Sequence, residues 1–486
     1  MLLEAVMNII SVSAEVAPWS KTGGLGDVCS ALPRALRSRG HRVMSVAPRY
    51  ESYPQAWDTG VTVDLDGHVI RFFHCSDNGV DRVFIDHPAI CRGGIYGGSQ
   101  GSYEDNWFRF SLLTQGAILA ALRLPLNGHR YCADGSGSDT MFLFHDWHTS
   151  LLPAYLETVK KWGKLYRAGS ALVIHNLAHQ GVYSPNILKD LMLPLELLSF
   201  LEYGGALNFL KTGMVMADRI VTVSPTYAKE ICTSDFGMGL DPILRARKRH
   251  VYGILNGVDT HAWNPKTDPY IPAKFSIQDM SGKAVCKAQL QRELGLPVRM
   301  DRPLFGFISR LDFQKGVDQI EAITPWLMNC GAQLVLLGTG DPKLEEFVRS
   351  VNRYTHGVGL VQFSNELAHK ITAASDFLLM PSRFEPCGLT QQHALEYGTL
   401  PIVHATGGLE DTVQSFHPKN KTGNGWAYSP LRPESLRQAL DWALQTFYQY
   451  PHDFTQMRKN AMSTDRTWDK AASLYEKLFT GILRYK

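Results

Sequence analysis

The sequence predicts an α/β protein built from two doubly wound units. Three observations carry that expectation. Short apolar, β-branched-rich runs recur, each followed by a polar or glycine-containing turn and most often by a helix-like stretch. The pattern pauses in a stretch of turn formers, "NGVDTHAWNPKTDPYIP" (256–272), and then starts again. The length, 486 residues, exceeds what one ordinary core organises.

The first series of strand-like runs is "NIISVS" (8–13), "HRVMSVAP" (41–48), "DRVFIDHP" (81–88), "MFLFHD" (141–146), "ALVIHN" (171–176) and "RIVTVSP" (219–225). Between the first two, "DVCSALPRALRSRG" (27–40) reads as a helix that closes at Gly40. The second series is "PLFGFISR" (303–310), "AQLVLLGTG" (332–340), "GLVQFS" (359–364), "FLLMPS" (377–382) and "LPIVHA" (400–405). Strands that alternate with helices pair in parallel, with helices on both faces. The expected division is an N-terminal domain 1–255, a C-terminal domain 256–466, and a final helix-patterned stretch 467–486 containing "TWDKAASLYEKLFTGIL". There is no internal repeat and no low-complexity tract.

Composition narrows the function classes. Apolar residues make up 44% and charged residues 20%, the balance of a soluble globular protein. A formal charge of +3 without a basic–aromatic stripe gives no mandate for nucleic acid. No apolar run approaches a membrane span. The eight cysteines (29, 75, 91, 132, 232, 286, 330, 387) lack C-x-x-C or zinc spacing, which reads as reduced, mostly buried thiols in a non-oxidising compartment. The start, "MLLEAVMNII", has neither the basic n-region of a secretory signal nor the Ser/Arg-rich tract of a plastid transit peptide. Either no such segment exists or the sequence begins after its removal.

Open α/β sheets bind ligands beyond the carboxyl ends of their strands, so the residues after each run are the candidates. "SKTGGLGDV" (20–28) is neither a Walker A motif nor a dinucleotide fingerprint. It offers backbone N–H groups at a helix start beside Lys21, suited to an anionic oxygen or a polar sugar; a tight structural turn is the alternative. In "HDWHTS" (145–150), Asp146 lies between two histidines. A metal cluster there would have poor geometry; sugar hydroxyls or a helix cap formed by Asp146 or Thr149 are the other partners. "IHNLAHQG" (174–181) puts His175 and Asn176 just after a strand, as structural residues or as the lining of a cleft.

The second unit supplies the charges. In "SRLDFQKG" (309–316), Arg310 and Lys315 follow its first strand and suit a diphosphate, with a surface ion pair as the alternative. "GTGDP" (338–342), with Gly338 and Thr339, and "TGGL" (406–409) are further glycine turns after strands. In "RFEPCGLTQ" (383–391), Glu385 suits ribose or sugar hydroxyls, and Gly388, Leu389 and Thr390 present N–H groups to phosphate, while Cys387 is most simply a small packed residue. No nucleophile triad, G-x-S-x-G or H-E-x-x-H is present. The residues alone thus point to a nucleotide-diphosphate donor held by the second domain, facing an acceptor on the first.

The set "KTGGLGDV", "HDWH", "HNLAHQG", "VSPTYAKEI", "LNGVD", "SRLDFQKG", "SRFEPCGLTQ" and "TGGLEDTV" closely resembles the starch and glycogen synthases, in the family's order, from about Asn8 to Tyr475. The resemblance implies a GT-B fold, two Rossmann-like domains facing a deep cleft, with the terminal helix crossing back to the first. It implies transfer of glucose from ADP-glucose to the non-reducing 4-hydroxyl of an α-1,4-glucan, with retention, no metal and no cofactor. Carried over by motif, Asp146, His175, Arg310, Lys315 and Glu385 are the catalytic set. Lys21, Gly24, Asn256, Gly338, Thr339, Cys387, Gly388, Leu389 and Thr390 are donor contacts, and Asp27, Asn106 and Asn176 are acceptor or sugar contacts. The loop at Lys21 is expected to bind well only when the domains close.

One departure is His393, which stands where many retaining GT-B enzymes carry a second Glu. "NLAHQGV", "SGKAVCKAQLQRELGLPVR" and "GWAYSPL" resemble soluble plant and algal starch synthases more than bacterial glycogen synthase; the granule-bound class shares the main motifs. For a plant or algal source the implied compartment is the plastid stroma, otherwise the cytoplasm. The rivals are a UDP-glucose enzyme of the same architecture and a glucan-binding scaffold, which would be expected to lack Arg310, Lys315 or Glu385. A nicotinamide dehydrogenase is disfavoured by the missing fingerprint.

Overall fold

The computed structural model describes residues 6–98 and 101–486; residues 1–5 of the N-terminal stretch read above lie outside the described part. The chain divides into two compact units, Met1–Gly257 with Trp468–Lys486, and Val258–Thr467.

Among the described residues, the first unit is built on a nine-stranded sheet. From one edge its strands are Val251–Gly253, Arg219–Thr222, Gly169–Ile174, Thr140–His145, Asn8–Val12, Arg42–Pro48, Val80–Asp86, His68–Asp77 and Trp57–Leu65. The pairs run parallel as far as Val80–Asp86, and the last two strands are antiparallel. The central strands are continuous apolar runs because both faces are covered: Ile9, Ile10, Val12, Phe142, Leu143 and Phe144 have no exposed surface. Burying each such side chain contributes about 1.5–3 kcal/mol.

The antiparallel extension is a departure from the all-parallel expectation, and the sequence carried a signal for it. Leu65 pairs with His68 and Asp77 with Val80, so the connections are the two-residue turns Asp66–Gly67 and Asn78–Gly79. Their φ values of 53° and 83°, and of 51° and 77°, are those of hairpin turns with both central residues left-handed. Asp-Gly and Asn-Gly flanked by alternating residues are the strongest short-range hairpin signals.

Trp468–Leu483 is a helix of the first unit and packs on the helix Gly24–Ser38. Its Ala471, Ala472, Tyr475, Phe479 and Ile482 form the buried stripe. Buried Glu476 accepts hydrogen bonds from Arg39 at 2.6 and 2.8 Å and lies 2.9 Å from His41 Nε2.

In the second unit six strands, all parallel, run in the order Gly357–Leu360, Gln333–Leu337, Leu304–Ile308, Phe377–Met380, Leu400–His404, Trp426–Tyr428. Numbered along the unit, that is 3-2-1-4-5-6, the doubly wound order of nucleotide-binding sheets. Side chains alternate between two buried faces: Phe305, Phe307, Leu334, Leu336, Phe377 and Leu379 on one, Leu304, Val335, Leu337, Leu378 and Met380 on the other.

Candidate active site

Each sheet reverses its winding at one place, and there the loops after two neighbouring strands diverge and leave a crevice. In the first unit this lies between Asn8–Val12 and Thr140–His145; in the second, between Leu304–Ile308 and Phe377–Met380.

Asn8–Val12 is followed by Glu15, which is 2% exposed. Its carboxylate accepts hydrogen bonds from Thr22 N at 2.7 Å, Gly23 N at 3.4 Å, Thr22 Oγ1 at 2.6 Å and the Tyr96 hydroxyl at 2.5 Å. The helix that follows runs from Gly24 to Ser38, so Gly24 and Gly26 belong to its first turn rather than to an open loop, and no side chain caps that end. The start is three residues earlier than the sequence pattern indicates, because glycine lowers helix propensity but here satisfies a close approach: a Cβ at residue 26 would lie 3.0 Å from Ser20 O. Lys21 reaches Asp27 at 2.7 Å, both side chains remaining partly exposed.

Asp146 follows Thr140–His145 with φ 55° and ψ −173°, a combination almost confined to glycine. Several bonds over-determine it. Asp146 N donates to Val173 O at 2.9 Å, and Ser150 Oγ donates to Asp146 O at 2.8 Å. Its Oδ1 accepts from His175 N at 2.7 Å and Asn176 N at 3.4 Å. Burial pushes its carboxyl up to about 7; those two N–H groups work against the rise, and the charge of Glu15 adds to it. His175 Nε2 lies 2.9 Å from His145 Nδ1, and His145 Nε2 lies 3.1 Å from Ser11 Oγ. Burial lowers His175 and His148 to about 3 and holds His145 well below the ordinary range, so all three rings are neutral at pH 7. His148 stacks on Tyr96 at 5.0 Å.

The two histidines flanking Asp146 are therefore packed and do not form a cluster around it, and among the described residues no group of three or more His, Cys, Asp or Glu is placed to hold a metal ion. Asn176 accepts from Ala178 N at 3.0 Å through its side chain. Asn106 is buried and committed within the chain: it donates to Tyr96 O at 2.8 Å and accepts from Arg109 at 2.7 Å. Asn256, beyond the end of the edge strand Val251–Gly253, is buried with its Oδ1 lacking a hydrogen-bond partner.

In the second unit, Lys315 Nζ sits 2.7 Å from Glu385 Oε2 across the point of reversal, and Ser382 Oγ donates to the same oxygen at 3.0 Å. Glu385 is 6% exposed. Gly316 makes that approach possible: its φ is 64°, and a Cβ there would lie 1.9 Å from Pro381 O. Arg310 is exposed and reaches Asp312 at 3.0 Å, while Asp312 caps the turn by accepting from Lys315 N at 3.1 Å. Arg383 forks onto both oxygens of Asp318 at 2.8 Å each, which fixes the strand-end loop carrying Glu385.

The remaining predicted contacts fall into two groups. Gly338, just past the strand Gln333–Leu337, is buried with its N–H bonded to Leu360 O at 3.1 Å; Thr339 is exposed. Cys387 is packed at 7% exposure, Gly388 lies in the turn after it, Leu389 is the residue before the helix Thr390–Glu396, and Gly408 N donates to Glu385 O at 2.9 Å. His393 stacks on Trp263 at 3.9 Å, and Trp263 stacks on His369 at 3.7 Å. Glu15, Tyr96, Ser382 and Arg383 escaped the sequence reading, although Glu15 and Ser382 stand just past strand ends, where the winding rule points.

The family model described as the starch synthase catalytic domain matches residues 8–246, and that of glycosyl transferases group 1 matches residues 295–461. The chain is 46% identical to soluble starch synthase 1, chloroplastic/amyloplastic, of Oryza sativa subsp. japonica, over 97% of this chain and 78% of that one. It is 44% identical to starch synthase 1 of Arabidopsis thaliana over 98% and 77%. Its structure is similar to the catalytic domain of starch synthase IV from Arabidopsis thaliana bound to ADP and acarbose, with a TM-score of 0.89, 31% identity and coverage of 99% and 100%. A sucrose-phosphate synthase from Thermosynechococcus elongatus shares the fold, with a TM-score of 0.61 and 15% identity over 98% and 99%. Two doubly wound units, with ionic strand ends at the reversal of the second, thus belong to a glucosyltransferase: the chain is a member of the starch synthase family.

Proposed function

We propose that the protein transfers the glucosyl unit of ADP-glucose to the 4-hydroxyl at the non-reducing end of an α-1,4-glucan, with retention at the anomeric carbon and without a metal ion. The observation that carries this reading is the Lys315–Glu385 pair, 2.7 Å apart at the reversal point of the second sheet. Such a pair places a cation and an anion where a nucleotide diphosphate and the sugar attached to it would be received.

As the bond between the anomeric carbon and the phosphate oxygen breaks, its electron pair goes to the leaving ADP. Lys315 and Arg310 stabilise the charge that develops there, the largest electrostatic contribution in the reaction. The acceptor 4-hydroxyl attacks from the face the phosphate leaves, and its proton passes to the departing phosphate oxygen, so no enzyme nucleophile is needed. Glu385 positions the glucosyl unit once Lys315 turns to the diphosphate. In the first unit, Lys21 and the N–H groups at the Gly24 helix start receive donor oxygens. Asp146, His175 and Asn256 offer acceptor and donor atoms to sugar hydroxyls.

The names of the relatives support a plastid location for the reaction, since they are chloroplastic or amyloplastic enzymes. The deciding experiment is incubation with radiolabelled ADP-glucose or UDP-glucose and a glucan primer. Incorporation from ADP-glucose, undiminished by EDTA, is the expected result. No incorporation from either donor sinks the synthase reading, and loss with EDTA sinks the metal-free step.

A further inference from the structure

We propose that Glu15 is a positioning residue for the transfer: its carboxylate fixes the Thr22–Gly23 backbone in the conformation that receives the donor and ties that segment to Tyr96. The proposal rests on the function argued above and concerns how the first unit prepares for ADP-glucose.

Glu15 has nothing to gain from this position as a core residue, since burying a carboxylate at 2% exposure is costly unless its oxygens are filled. They are filled almost entirely from one short segment. Oε2 takes Thr22 N and Gly23 N, and Oε1 takes the Thr22 hydroxyl together with that of Tyr96. Thr22, Gly23 and Gly24 are themselves exposed, and water would serve their backbone equally well. The carboxylate therefore orders a surface segment rather than rescuing a buried one. It consumes the N–H of Gly23, the residue before the helix, and leaves the first turn beginning at Gly24 without a side-chain cap.

Tyr96 carries the connection onward. Its carbonyl accepts from Asn106 at 2.8 Å, and its ring stacks on His148, two residues past Asp146. The donor-side segment, Glu15, Tyr96 and the turn after Asp146 thus form one hydrogen-bonded and stacked chain inside the first unit. The titratable groups whose charge Glu15 meets are Asp146, Tyr50, Tyr96 and Cys29, each of which it disfavours as an anion. A misplaced segment loses the near-attack geometry on which transfer depends.

The chemistry of the carboxylate separates positioning from charge. In Glu15→Gln, the amide oxygen still accepts from the two backbone N–H groups, and its NH2 donates to the two hydroxyls, which rotate to accept. In Glu15→Ala all four bonds are lost. Initial rates of the full-length variants with ADP-glucose and a soluble glucan, each varied in turn from pH 5.5 to 8.5, test the proposal. Glu15→Ala is expected to raise KM for ADP-glucose about tenfold or more and to leave KM for glucan within about twofold. Glu15→Gln is expected to restore KM for ADP-glucose to within about threefold of wild type and to move the acid limb of kcat/KM to lower pH. An unchanged KM for ADP-glucose in Glu15→Ala, or equal impairment in both variants, overturns the proposal. Where Glu15→Ala is not recovered folded, the double variant Thr22→Ala/Tyr96→Phe takes its place, with an expected rise of about threefold and the same overturning result. Wild-type protein that transfers nothing would count against the function itself, not against Glu15.

Discussion

Asp146 is held in a backbone conformation that non-glycine residues avoid, and its carboxyl is pushed up to about 7 by burial. In the proposed role, accepting hydrogen bonds from a sugar hydroxyl, it is the stronger partner when ionised, so kcat/KM is expected to rise with pH through about 7. Asp146→Asn removes that limb and lowers the plateau; a profile of unchanged shape in the Asn variant would contradict the role. The position of Asp146 and His175 at strand ends was legible in "HDWH" and "IHNL". The contact of Glu15 with the glycine segment was not, because seven residues separate it from Thr22 and only the fold brings its carboxylate there. At Gly338 the glycine turn read after a strand is seen just past Gln333–Leu337, with its N–H bonded to Leu360 O.

At the scale of elements, apolar runs bounded by turns revealed the central parallel strands of both units, whereas the three-residue edge strands Val251–Gly253 and Trp426–Tyr428 were too short to stand out. The hairpin Trp57–Leu65/His68–Asp77 was passed over because its strands alternate exposed and buried residues and look polar on average. The terminal helix is the element whose removal is most informative. Glu476 serves both Arg39 and His41, which belong to the segment after the helix Gly24–Ser38. Glu476→Ala is expected to cost about 1–3 kcal/mol, because it leaves the buried His41 Nε2–H without an acceptor and leaves the partly buried Arg39 with Asp469 alone. Chemical denaturation measures it; a loss below about 1 kcal/mol, the worth of an exposed pair, would show that the contact is superficial.

For the molecule as a whole, three buried neutral histidines in the first unit set the response to acid. His148 and His175 titrate at about 3 when folded and at the ordinary 6.5 when exposed, and His145 is lowered in the same direction. Between pH 6.5 and about 4 the unfolded chain therefore binds more protons at these sites, and stability falls as pH falls. Asp146 acts oppositely, because its folded value lies above its unfolded one and stability is lost as pH rises towards 7. Three groups outweigh one, at about 1.4 kcal/mol per pH unit for each net proton. Denaturation midpoints are expected to drop on acidification from pH 6.5 to 4.5, and a flat or rising trend would contradict the buried neutral rings.

The proposed reaction turns on Lys315, which holds Glu385 at 2.7 Å in the second unit and to which the proposal assigns the diphosphate of the donor. The most direct measurement is the initial rate of labelled glucose transfer from ADP-glucose to a glucan primer, for wild type and Lys315→Ala side by side, with their unfolding midpoints recorded. Wild-type transfer and a fall of about 10²–10³-fold in the folded variant are the expected results, the cost of removing one group that stabilises developing negative charge. Near-native turnover by folded Lys315→Ala would contradict the account.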